Sequence, residues 1–126
     1  MENFREFEAG PDPFGRTWKV RFKWQQNAIS IRHSDSVDVK FALMTGGEGE
    51  EYEEREEKVV ALMNLDLLDE SARTGRPITD PWVSRLAARH LKRAIETGED
   101  IEKSLLTVSP QLLSEHSREV AKAVGR

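Results

Sequence analysis

Cysteine is absent from these 126 residues, which excludes disulfides, thiolate metal sites and a cysteine nucleophile. No run of about twenty apolar residues occurs, so no membrane-spanning helix is expected. The opening stretch MENFREFEAG lacks the basic start and apolar run of a secretory signal, and the expected location is cytoplasmic. Phosphate-loop and hydrolase signatures are missing too. Gly46-Gly47-Glu48-Gly49 carries no lysine followed by serine or threonine, and no serine sits in a GxSxG elbow. Gly75-Arg76-Pro77 leads toward a helix start at Asp80, whose own carboxylate would occupy the free amides there. No enzyme and no cofactor is expected.

What is present is the balance of a soluble globular chain, 33% charged and 37% hydrophobic, of a length that suits one domain. The net charge of −4 is unevenly spread. Glu48 to Glu57 holds seven glutamates and one arginine, a local −6 that leaves the remainder at +2. An acidic segment thus accompanies a mildly basic body.

The stretch Thr17 to Met44 carries the fold signal. Trp18, Val20, Phe22 and Trp24 alternate with Lys19, Arg21 and Lys23; Ile29 and Ile31 with Ser30 and Arg32; Val37, Val39, Phe41 and Leu43 with Asp38 and Lys40. This is the period of two of strands with one buried face. A turn at Gln26-Asn27 pairs Trp24 with Ile29 and Phe22 with Ile31, and a second at Ser34-Asp35-Ser36 keeps the apolar parity. The outward rows are then Arg21, Arg32, Asp38 and Lys23, Ser30, Lys40, a basic solvent face.

Residues 1–16, with Phe4, Phe7 and Phe14 among charges and prolines, read as an N-terminal arm before a single domain at 17–126. Thr45-Gly46-Gly47 ends the third strand. From there either one long helix runs from Glu50 to Leu68, or an acidic loop at 45–57 precedes a fourth strand, Lys58 to Met63. Repulsion between glutamates three and four apart favours the second. Asn64 then caps a helix from Leu65 to Thr74 with Leu65, Leu68 and Ala72 inward, stopped by Gly75. Asp80 caps a helix that begins at Pro81 and stops at Gly98. Its apolar side is Val83, Leu86, Ala87, Leu91 and Ala94, with Trp82 and Ile95 at the margins and Arg85, Arg89, Lys92 and Arg93 opposite. Glu99 to Val108 reads as a helical turn followed by a short strand or buried coil. Ser109 caps a last helix, Pro110 to about Val124. The fold class is α+β, an antiparallel sheet of three or four meandering N-terminal strands packed on one face by about three C-terminal helices.

Two constellations invite chemistry. His33, His90 and His116 each fall on an inward face, and their convergence would make a three-histidine metal site; histidines bonded singly to backbone carbonyls are the plainer expectation. Lys19, Arg21, Lys23, Arg32 and Lys40, joined by Arg85 and Arg89, would form a basic surface for nucleic acid or another polyanion. Nucleic acid is not favoured, because the aromatic rings needed for base stacking point to the core. The acidic segment is a solvated loop, or else a mask over that basic face. The leading expectation is a non-catalytic module that binds a protein partner or a second copy of itself. It would do so through an exposed sheet edge, either KVVALM or the first strand, or through Trp82 at the margin of its helix.

Overall fold

Alternation of apolar and charged side chains produces strands at both ends of the meander, and the outermost are the shortest. The computed structural model describes residues 4–29, 35–45 and 53–124. One five-stranded sheet runs in chain order: β1 (Glu6–Ala9), β2 (Trp18–Ile29), β3 (Asp35–Thr45), β4 (Glu53–Met63) and β5 (Leu105–Thr107). Pairing is antiparallel from β1 to β4 and parallel between β4 and β5. Helices α1 (Asn64–Thr74), α2 (Asp80–Thr97) and α3 (Pro110–Val124) complete an α+β fold. No helix among the described residues is long and apolar enough to cross a membrane.

The sheet is mixed and larger than the sequence suggests, because two short segments join its edges. In β1, Phe7 pairs with Val20 and Ala9 with Trp18 on the core side, while Glu6 and Glu8 lie opposite Arg21 and Lys19 on the other. Its Phe7 and Ala9 are buried, so part of the expected arm is an edge strand. At the far edge Leu106, buried, sits beside Val60. Both strands first proposed as open edges, KVVALM and the Trp18 strand, are therefore interior.

The expected turn at Gln26-Asn27 does not form. β2 continues through it to Ile29, and the connection to β3 falls at 30–34, outside the described residues together with Ile31, Arg32 and His33. A bulge explains the continuation. Phe22 is opposite Phe41, yet Trp24 is opposite Lys40, so Lys23 is the extra residue and the faces exchange beyond it. Trp24 moves to the outer face, where the Lys40 ammonium lies 5.5 Å from its ring centre. Gln25 moves to the helix side, donating to Asp80 Oδ1 at 3.0 Å and accepting from the Ser84 hydroxyl. The inferred pairing of Trp24 with Ile29 gives way to Trp24 with Lys40, and in place of the row Arg21, Arg32, Asp38 the structure sets Arg21 opposite Ala42.

β4 takes in half of the acidic segment. Glu53 to Glu57 are strand residues, with Arg55 at a second bulge opposite Leu43 and Met44. Val37, Val39, Phe41 and Leu43 of β3 face the core as expected, and Val60 and Leu62 of β4 join them. Lys58 faces it too, 1% exposed, donating to the Lys103 carbonyl at 2.6 Å with the Glu56 carboxylate at 3.3 Å. Hydrogen bonding to a carbonyl and pairing with a carboxylate are what make a buried ammonium tolerable.

α2 lies against β1, β3 and β4, α1 against β3 and β4, and α3 against α1 and α2. The cap of α2 is Thr79, whose hydroxyl accepts from the Trp82 amide, with Asp80 one position inside. Ser109 caps α3 as expected, accepting from the Leu112 amide at 3.2 Å. Trp82 is buried rather than marginal. α1 follows β4 without a loop, and Met63, not Asn64, holds the cap position with no side-chain bond. That junction sets the helix phase: Leu67 and Glu70 turn inward, and Leu65, Leu68 and Ala72 turn to solvent, reversing the expected face.

Candidate functional site

Charge compensation governs the outer sheet face. Lys19 and Arg21 project beside Glu6 of β1, at 3.9 and 3.2 Å. On the other side Lys23 reaches Glu54 at 3.4 Å and Glu57 at 3.8 Å, and Lys40 reaches Glu57 at 2.8 Å. The bond from Lys40, above all, holds the Glu57 carboxyl below its usual range. The acidic segment thus meets the basic face within the plane of the sheet, and Ala42 and Met44 are buried beneath these long side chains. Arg85 and Arg89 do not join this surface, since α2 packs on the other side of the sheet. Arg85 lies over the Phe4 ring at 5.8 Å, and Arg89 faces α3.

Between α2 and α3 the structure unites two of the three histidines. His90 Nδ1 and His116 Nε2 are 3.1 Å apart, with the rings edge to face at 72° and both buried. One proton lies between those nitrogens, so one ring donates and the other accepts. Burial lowers both pKa values. His116 falls to about 4, pushed first by desolvation, then by His90 and by Arg93 and Arg89; for His90 burial and Arg93 outweigh Asp100 and Glu99. Both rings are neutral near pH 7, a form suited to bonding each other or a metal. The third histidine, His33, lies outside the described residues, and among those described no three histidine, aspartate or glutamate side chains are grouped to hold a metal ion. Beside His116 opens a cleft of about 490 Å³, lined by Arg89, Lys92, Arg93 and Arg118 together with Glu96, Glu115 and Glu119. Mixed charge of this kind gives no strong anion preference.

No protein-family model, curated protein or solved structure matches this chain. Function has to be read from the surface itself.

The outer side of α1 is apolar and open to water. Leu65 is 76% and Leu68 56% exposed, with Ala72 exposed on the same stripe, at spacings of three and four. Asp66 and Asp69 lie toward the start of this helix and Arg73 near its end, where Arg73 bonds Glu70 and the Ser114 hydroxyl of α3 at 3.0 Å. The inward positions anchor the helix while the outward ones offer leucine to water. The leucine content was visible in the sequence, but the helix phase that exposes it depends on the loop-free junction with β4.

Proposed function

We propose that this chain is a non-catalytic protein-interaction module, that α1 is its docking element, and that the partner is a second copy of the same chain. The observation that carries the reading is the exposure of Leu65 and Leu68 on one face of a helix whose other face is anchored in the core. Two leucines in water are an unmet hydrophobic contribution of about 2 kcal/mol each. A self-complementary charge order selects the second copy. With two α1 helices antiparallel about a two-fold axis near Leu68, Leu65 meets the partner's Ala72, and Asp66 lies nearest the level of the partner's Arg73. The helix spans about 16 Å, so the contact is small and the expected affinity is in the micromolar range.

Sedimentation velocity from low micromolar to about 1 mM protein tests this. A monomer–dimer equilibrium is expected, weakened at least ~100-fold by Leu65→Glu with Leu68→Glu and left folded by circular dichroism. Asp66→Arg alone should weaken it. A strict monomer throughout, or a dimer indifferent to both leucines, would falsify the assignment. The polyanion reading is the weaker one, because among the described residues Arg21, Lys23 and Lys40 stand beside Glu6, Glu54 and Glu57.

A further inference from the structure

A second concave site lies at the opposite end of α2 from its N-cap, and it is built differently from the α2–α3 cleft. A cavity of about 500 Å³ opens between the turn before β2, the ends of β3 and β4, and the loop after α2. Its apolar lining is Pro13, Phe14, Trp18, Leu43, Ile95 and Ile101. Leu43 and Ile95 belong to the core itself, so the cavity reaches to the floor of the molecule. The volume and the apolar lining with a few polar groups match those of small-molecule sites.

The turn that walls this cavity is braced by one carboxylate. Asp12 Oδ1 accepts from the Phe14 and Arg16 amides, both at 2.9 Å, and Oδ2 accepts from Trp18 Nε1 at 3.0 Å. The Gly10 amide donates to Glu96 of α2 at 3.2 Å, tying the turn to the helix. At the far wall Gly98 ends α2 so close to Pro13 that a Cβ there would stand 2.7 Å from Pro13 Cγ. Within this rigid frame two side chains stand out. Phe14 is 93% exposed although its backbone is fixed, leaving an aromatic ring in water at the mouth of an apolar cavity. Arg16 stacks its guanidinium over the Trp18 ring at 5.5 Å and lies near enough to Asp12 for its charge, after the Trp18 indole bond, to help hold that carboxyl below its usual range.

The charges of the lining decide the ligand. Both Asp12 oxygens are engaged, and Glu56 is paired with Lys58. Arg16 offsets the Asp12 charge at a distance, and its guanidinium donors are bonded to neither carboxylate of the lining. A guanidinium beside an apolar cavity matches a ligand with an apolar body and one carboxylate, which Arg can meet with two parallel bonds. We infer that this cavity binds a small apolar monocarboxylate, its body between Trp18, Ile95 and Ile101 and its carboxylate on Arg16, with Phe14 closing over it. The site is separate from α1 and does not depend on dimer formation.

The probes are 1-naphthoate and, as its uncharged counterpart, 1-naphthalenemethanol, titrated into the full chain and followed by amide and indole NMR shifts. Expected are shifts at the Trp18 indole, Thr97, Gly98 and Ile101, with naphthoate the tighter ligand. Arg16→Gln should weaken naphthoate by roughly tenfold and leave the alcohol unchanged, because only the charge-assisted bonds are lost. Phe14→Ala should weaken both alike. Both side chains are exposed, so neither change threatens the fold. Absence of saturable shifts, shifts centred on α1 or the α2–α3 cleft, or an Arg16→Gln effect equal for the two probes would overturn the inference.

Discussion

At the residue scale, His90 and His116 are the pair whose chemistry depends most on its surroundings. Each ring is buried, each gives the other its polar partner, and the nearest cations, Arg89 and Arg93, oppose a second positive charge. The folded-state pKa of His116 is about 4, below the 6.5 of a free imidazole. A depressed histidine pKa means that the unfolded chain takes up the proton first. Stability is therefore full above about pH 6.5 and declines as pH falls through the window down to about 4. Urea unfolding at steps between these limits should show that decline, and His116→Leu should flatten it relative to wild type at some cost in stability at neutral pH. Equal slopes in the two proteins would show that the pair does not titrate on unfolding. That both histidines turn inward was legible from their helix positions. Their mutual contact was not, since 26 residues separate them and only the crossing of α2 and α3 brings them to 3.1 Å. Lys58 was less legible still: its neighbours Val59 and Val60 identify a strand, but not that the charge at its start faces inward beside a carbonyl from the loop before β5.

At the element scale, single residues redirect whole segments. The extra residue in β2 moves Trp24 out and Gln25 in, and a strict alternation pattern has no means of announcing such an exchange. In α1 the eleven-residue sequence specifies a helix, yet the strand that runs straight into it specifies the face. The helix stops are more local and were read correctly. Gly75 and Gly98 both end their helices with φ of 76°, a left-handed conformation that costs a residue with a Cβ about 1 kcal/mol. Their surroundings differ, for a Cβ on Gly75 meets nothing within 4 Å while one on Gly98 meets Pro13. Gly75→Ala should therefore destabilise by about 1 kcal/mol and Gly98→Ala by about 2 or more. Thermal melts of the two variants measure the difference, and equal losses would mean that the Pro13 turn yields without cost.

At the scale of the whole molecule, the sheet divides the chain's charge from its core. One face carries Val20, Phe22, Val39, Phe41, Val60 and Leu62 toward the helices. The other carries cations from β2 and β3 between carboxylates from β1 and β4. Exposed pairs of this kind add little to stability, so their main consequence is for what the face attracts. Glu54→Gln with Glu57→Gln removes the partners of Lys23 and Lys40 and takes the net charge from −4 to −2. The double variant should elute from a heparin column at higher salt than wild type. Unchanged elution would show that these two glutamates do not screen the face.

The sequence by itself determined the fold class, the strand character of β3 and of the KVVALM stretch, the three helices and the glycine stops of α1 and α2. These follow from periodicity and backbone preference, which act over a few residues and leave a local signature. Tertiary structure alone decided the number of strands, the bulge that turns Trp24 outward, the phase that bares Leu65 and Leu68, the histidine contact and the cavity around Arg16. Each depends on where distant segments meet, and a contact between residues far apart in the chain has no pattern at either position alone.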